Sequence, residues 1–209
     1  MEVTAIILAG GKNLRLGRSK PLETIGGKSL IECVIERLRP LTSQILIVTS
    51  PEQLDLPVAG KAQILVDLYP GKGPLGGIYT GLLASQSAHS IVVACDMPFL
   101  NTELLRYMVG LSGDSDAVAP RSEGGIAEPL HAIYSKSCLD KMKTRLEHNQ
   151  LGVHSFLNTV HVRYVEQAET QRLDPQLLSF FNINYQSDLD RAIALAAKDR
   201  CQRETENSS

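Results

Sequence analysis

The 209 residues are 43% hydrophobic and 21% charged, an ordinary soluble composition with material for one substantial core. A formal net charge of −2 supplies no basic field for nucleic acid, so any cationic function must be local. The longest apolar runs are about six residues, well short of the roughly 20 that cross a membrane, and the N-terminus lacks the succession of a secretory leader.

Cys33, Cys95, Cys138 and Cys201 lie far apart without metal-ligand spacing, which fits free thiols in a cytoplasmic protein. In chain order, residues 3–8 read as a buried strand of β-branched and aliphatic side chains. It runs into Gly10-Gly11 and then four cations, Lys12, Arg15, Arg18 and Lys20, with no carboxylate among them. A helix over 29–38 is predicted by a Ser29/Glu32 capping box, by apolar Leu30, Ile31, Val34, Ile35 and Leu38, and by Pro40 as its stop. Strands follow at 45–49 and 63–66, a helix at 75–84, and an apolar strand at 90–94. Asn101 is placed to cap a helix carrying Leu104, Leu105, Met108 and Val109. Strands at 117–119 and 129–134, a helix at 135–147, and strands at 160–165 and 180–183 come next, before a last helix capped by Ser187 and running through 197. The alternation predicts an α/β protein: a mostly parallel, Rossmann-like sheet in a three-layer αβα arrangement. Residues 1–198 are expected to form a single domain, and 199–209 a polar, flexible tail.

Ligands of such sheets bind at the carboxyl ends of the strands, so the residues after each strand are the candidates. Gly10 and Gly11 let backbone N–H groups approach a phosphate whose charge Arg15 and Lys20 neutralise; a solvated surface loop is the other reading. Gly27-Lys28-Ser29 looks like the end of a P-loop, but Leu22 stands where that pattern needs glycine. Gly71-Lys72-Gly73-Pro74-Leu75-Gly76 matches a dinucleotide-binding pattern, with Asp96 following at the end of the next strand. Against it, the motif sits on an interior strand, a full cationic loop precedes it unexplained, and Pro74 lacks an N–H where a pyrophosphate needs one. Asp96 ends an apolar run and is carried to the rim by a rigid strand, either as a Mg²⁺ ligand facing the cationic loop or as a turn residue. Asp67, after Ile64-Leu65-Val66, repeats that placement, with a turn role equally open. Glu128-Pro129 precede, and His131 enters, a strand, where a histidine is more often structural than a base. Asn182 and Asn184 flank Ile183, so both amides point to one side, toward a polar ligand or a metal, or serve a structural edge.

Six blocks in order carry a family likeness. They are Leu8-Ala9-Gly10-Gly11, Arg15-Leu16-Gly17 with Lys20, Gly73-Pro74-Leu75-Gly76-Gly77, Cys95-Asp96-Met97-Pro98, Glu128-Pro129-Leu130-His131-Ala132-Ile133-Tyr134, and Asn182-Ile183-Asn184 before Ser187-Asp188-Leu189. Together they resemble the molybdenum cofactor guanylyltransferases, the MobA family. The resemblance implies a GT-A-like nucleotidyltransferase that uses MgGTP and attaches GMP to the terminal phosphate of molybdopterin in the molybdenum cofactor, giving the guanine dinucleotide form and pyrophosphate. It further implies that Leu8, Ala9 and Gly10, with Gly11 in the same loop, line the guanosine end, that Lys20 contacts phosphates, and that Asp67 helps bind the nucleotide. By the same resemblance Asp96 holds Mg²⁺, and Asn182 and Asn184 face the pterin-side cavity or the metal. Arg15 and Lys20 then offset charge on the departing pyrophosphate during in-line attack on the α-phosphorus. The partners implied are these small molecules, with transient contacts to other cofactor-biosynthesis proteins or molybdoenzymes. The asparagine that the family often places after its second strand is missing near Val48-Thr49. Two rivals stand. The cytidylyltransferases of the same cofactor show Leu-Ala-Ala-Gly and Asp-Gln-Pro where this chain has Gly10 and Asp96-Met97-Pro98. A non-catalytic nucleotide or cofactor carrier would not need a metal ligand beside Arg15 and Lys20.

Overall fold

The computed structural model describes residues 2–10, 20–58 and 60–206, with 198–206 described by their backbone only. The chain opens with β1 (Thr4–Leu8), a small hairpin of β2 (Thr24–Ile25) and β3 (Lys28–Ser29), and α1 (Leu30–Leu38). There follow β4 (Gln44–Thr49), β5 (Gln63–Val66), α2 (Gly73–Ala84), β6 (His89–Ala94) and α3 (Thr102–Gly110). The remainder comprises β7 (Ala117–Arg121), β8 (His131–Ser135), α4 (Leu139–Glu147), α5 (Val153–Leu157), β9 (Val162–Glu166), α6 (Gln167–Leu173) and α7 (Gln186–Glu206).

Seven strands form one sheet in the order β5-β4-β1-β6-β8-β7-β9. β1 pairs in parallel with both β4 and β6, β4 with β5, and β7 with β9, while β8 alone runs antiparallel to its neighbours β6 and β7. Along β1 the side chains alternate between faces. Ala5 and Ile7 pack with α1 and α3 residues such as Val34 and Leu104, whereas Ile6 and Leu8 pack with Ile78 of α2, Met142 of α4 and Phe156 of α5. Both faces are therefore apolar and covered, as the uninterrupted aliphatic run of β1 requires. The chain leaves β1 toward β4 and β5, then returns to place β6 on its other side. That reversal opens a crevice at the carboxyl ends of β1 and β6.

Ser29 and Glu32 form the expected capping box on α1, and the Asn101 side chain accepts from the Leu104 N–H at 3.0 Å. Residues 180–183 do not form the expected strand. Ile183 donates its N–H to the Asp96 carbonyl (3.1 Å) and buries its side chain with Ile25, Leu30 and Leu189, which ties the segment across the sheet's rim. The last helix starts at Gln186, before Ser187, and the carboxylate of Asp188 accepts from the Asn184 and Tyr185 N–H groups at 2.9 Å each. Its backbone continues to Glu206, through most of the stretch read from sequence as a tail. The strand before the Gly71–Gly76 motif, read from sequence as interior, lies at the edge of the sheet as β5. A dinucleotide fold would place its glycine loop after the central strand, so this motif instead turns the chain into α2. Gly71 (φ 80°) and Gly73 (φ 67°) make that turn in the left-handed region that favours glycine.

Cys33, Cys95 and Cys138 are free thiols, and burial pushes Cys95 and Cys138 up to about 12, so neither ionises near neutrality. Among the described residues no helix is long and apolar enough to cross a membrane.

Candidate functional site

A cleft of about 870 Å³ runs along the carboxyl edge of the sheet. Backbone hydrogen bonds fix its floor. Ala9 N–H donates to Val48 O (2.8 Å), Asp67 N–H to Thr49 O (2.9 Å), Cys95 N–H to Leu8 O (3.1 Å) and Ala94 N–H to Leu130 O (3.2 Å). The ends of β5, β4, β1, β6 and the entry to β8 thereby form one continuous rim. Strand order converts into position: Asp67 lies at one end, Leu8, Ala9 and Gly10 come next, Asp96 is central, and Glu128 and Leu130 lie at the far end.

At the centre the Lys20 Nζ donates to Asp96 Oδ2 at 2.8 Å and to Asn184 Oδ1 at 2.8 Å. Only 16% of either charged side chain is exposed, so this ion pair is largely desolvated. Three distant stretches supply it: a short turn at Lys20–Leu22, the end of β6, and the segment that Ile183 ties to Asp96. Asp96 Oδ1 is buried and has no hydrogen-bond partner among the described residues. An unpartnered buried acceptor costs about 1–3 kcal/mol, which a hard cation at that oxygen would offset. No group of three or more His, Cys, Asp or Glu side chains gathers among the described residues. A divalent ion on Asp96 would complete its shell with phosphate oxygens and water, the habit of Mg²⁺ rather than Zn²⁺.

Of the residues singled out from sequence, Leu8, Ala9, Gly10, Lys20, Asp67, Asp96, Asn182 and Asn184 all line this cleft. Gly11 and Arg15, like Lys12 and Arg18, lie outside the described residues. Asp67 fills the turn role as well: its Oδ1 accepts from Tyr69 N–H (2.9 Å) and from the Thr80 hydroxyl (3.0 Å). Asn182 donates to the Phe180 carbonyl at 3.3 Å. Asn184 lines the cleft and accepts from the Lys20 ammonium through its Oδ1 at 2.8 Å. His131 is fully buried, edge-on to Phe180 at 5.0 Å between ring centres, and neither ring nitrogen finds a partner among the described residues. Burial lowers its pKa to about 3, so it stays neutral and is a core residue. Glu128 and His154 face the cleft too; burial pushes the Glu128 carboxyl up from the usual range, and His154 opposes that shift. Sequence reasoning missed His154, which stands on the five-residue α5 without any motif, and missed Thr80, whose tie to Asp67 exists only once α2 packs beside β5.

An open α/β sheet, with its crevice at the reversal point and a lysine–aspartate–asparagine cluster inside, defines a Rossmann-like protein suited to holding phosphates. A profile of the MobA-like NTP transferase domain matches residues 5–167, and the chain belongs to that family. It is 35% identical over 203 residues to a probable molybdenum cofactor guanylyltransferase of Pelotomaculum thermopropionicum, covering 97% of this chain and 98% of that one. It is 31% identical to a molybdenum cofactor guanylyltransferase of Desulfosudis oleivorans, over 92% and 95% of the two chains. Among solved structures it resembles the molybdopterin-guanine dinucleotide biosynthesis protein A of Archaeoglobus fulgidus, with a TM-score of 0.82, 30% identity and coverage of 94% and 100%. The 2-C-methyl-D-erythritol 4-phosphate cytidylyltransferase of Thermus thermophilus shares the fold, at a TM-score of 0.69 and 21% identity.

Proposed function

We propose that this chain is a nucleotidyltransferase that moves GMP from GTP to the terminal phosphate of molybdopterin in the molybdenum cofactor, yielding the guanine dinucleotide form and pyrophosphate. The observation that carries the reading is the Lys20–Asp96–Asn184 cluster, midway along a cleft at the upper end of small-molecule site volumes. Guanylyltransferase relatives matched over nearly the whole chain supply the choice of nucleotide and acceptor.

A phosphate monoester is already anionic near neutral pH, so its oxygen attacks the α-phosphorus without a strong base. The new P–O bond forms in line as the bond to the bridging oxygen breaks, and the electron pair leaves with pyrophosphate. Catalysis is then positioning and charge neutralisation. Lys20 brings a largely desolvated ammonium to that point, where its charge acts more strongly than in water. Arg15 is the second cation assigned to the departing pyrophosphate. Leu8, Ala9, Gly10 and Gly11 take the guanosine end with help from Asp67, while Asn182 faces the acceptor. Asp96 would hold Mg²⁺ through its buried Oδ1, which has no hydrogen-bond partner among the described residues, and an ion there would supply Lewis-acid neutralisation of phosphate oxygens. Action in the cytoplasm, with transient contacts to proteins that make or receive the cofactor, belongs to the same reading.

Equilibrium titration with GTP, CTP and NADH, followed by pyrophosphate release in the presence of molybdopterin, tests it. The expected result is Mg²⁺-dependent GTP binding and acceptor-dependent release. Binding of NADH without GTP, or a preference for CTP, would overturn it.

A further inference from the structure

The cleft continues beyond Asp96 to a carboxylate that the transfer chemistry does not use. Glu128 is half-buried, lines the cleft, and its carboxylate accepts no hydrogen bond among the described residues. The backbone of residues 128–130 is clamped from three sides. Glu128 N–H donates to Pro120 O of β7 (2.9 Å), the Tyr134 hydroxyl donates to Pro129 O (2.9 Å), and Leu130 O receives the Ala94 N–H from the end of β6 (3.2 Å). A rigidly held, partly desolvated carboxylate that accepts no hydrogen bond among the described residues is poised for a ligand that brings donors.

We propose that Glu128 reads the 2-amino-4-oxo edge of the acceptor's pterin and thereby selects the acceptor. This rests on the guanylyltransferase reading for the identity of the acceptor. The edge presents a ring N–H and an exocyclic NH₂ side by side, two donors matched by the two oxygens of one carboxylate. Guanine carries the same donor pair. In Rossmann-like sheets the nucleotide takes the first glycine loop and a carboxylate beyond a neighbouring strand. Here Gly10 and Asp67 lie on the β1–β4–β5 side of Asp96, so the β8 side, where Glu128 stands, is left for the second substrate.

The test compares two pterin-type ligands carrying the same alkyl phosphate: the 2-amino-4-oxo form and its 2,4-dioxo counterpart, in which the NH₂ donor becomes a carbonyl acceptor. Binding is followed by ligand fluorescence with the full chain and Mg²⁺ plus a non-hydrolysable GTP analogue, and GTP affinity is measured separately. The wild type is expected to prefer the amino form by about tenfold or more, as sites built around a hydrogen-bonding group do. Glu128→Ala should lose the preference. Glu128→Gln, whose amide offers one donor and one acceptor, should shift it toward the dioxo form, with GTP affinity unchanged in both variants. An unchanged preference in both variants would overturn the proposal. So would a fall in GTP affinity with acceptor binding intact, because Glu128 would then be reading guanine. The preference is read without turnover, so a wild type that binds selectively but releases no pyrophosphate would count against the proposed reaction and leave the Glu128 site standing.

Discussion

Lys20 holds its ammonium between one anionic and one neutral oxygen, each 2.8 Å away, so its position is fixed before any phosphate arrives. Under the proposed mechanism, removing it subtracts a charge that the transition state meets. Lys20→Ala is expected to lower turnover at least about tenfold, or roughly 1.4 kcal/mol of barrier. Near-native turnover under saturating GTP would remove Lys20 from the mechanism. Asp96→Asn keeps the shape but trades an anionic oxygen for a neutral amide. The expected consequence is a rise of about tenfold or more in the Mg²⁺ concentration that gives half-maximal rate, since a hard cation prefers carboxylate oxygen. An unchanged Mg²⁺ requirement would mean that the ion binds elsewhere. Both residues were legible in the sequence because strand ends and local charge can be read over short windows. The bond from Lys20 to Asn184 was not, because the partners stand 164 positions apart and meet through tertiary contacts such as the Ile183 tie to Asp96.

α2 lies against β1 at a separation that only glycine permits. A Cβ at Gly81 would stand 2.5 Å from Ile6 Cγ2 and 2.9 Å from Ile6 Cδ1, with Ile6 fully buried in the sheet. Alanine is the better helix former by about 1 kcal/mol, yet overpacking of this kind costs about 1–3 kcal/mol, so packing should win. Gly81→Ala is expected to lower the urea midpoint, and Ile6→Ala in the same chain should cost less than it does alone, because the two share one space. Additive losses would show that the helix simply shifts to make room. Elements with strong internal signals, such as α1 with its capping box and α3 with Asn101, could be read from sequence. The two-residue strands β2 and β3 and the five-residue α5 could not, because pieces so short hold their shape only through tertiary contacts. Residues 181–184 alternate apolar and polar like a strand for a different reason: Ile183 turns inward to the small cluster with Ile25 and Leu30.

At the scale of the molecule, aliphatic runs and amphipathic helices announced a covered, mostly parallel sheet, whereas the reversed β8 between β6 and β7 left no local trace. β8 pairs His131 with Val93 of β6 and inserts an imidazole into the core, both ring nitrogens without partners among the described residues. Burial alone depresses the folded-state pKa to about 3, below the ordinary value of 6.5. Between those values the unfolded chain binds the proton and the folded one does not, so stability is fully present above about pH 6.5 and falls as pH drops toward 3. The limiting slope is about 1.4 kcal/mol per pH unit, and the loss from this one group between pH 7 and pH 5 comes to about 2 kcal/mol. His131→Phe keeps a ring against Phe180 but carries no titratable nitrogen. The unfolding free energy of the wild type, from urea titrations at both pH values, should fall by about 2 kcal/mol more than that of the variant across this interval. Equal losses in the two proteins would mean that the imidazole reaches a proton acceptor or water in solution, and that the core beneath the cleft is less tightly sealed than its packing implies.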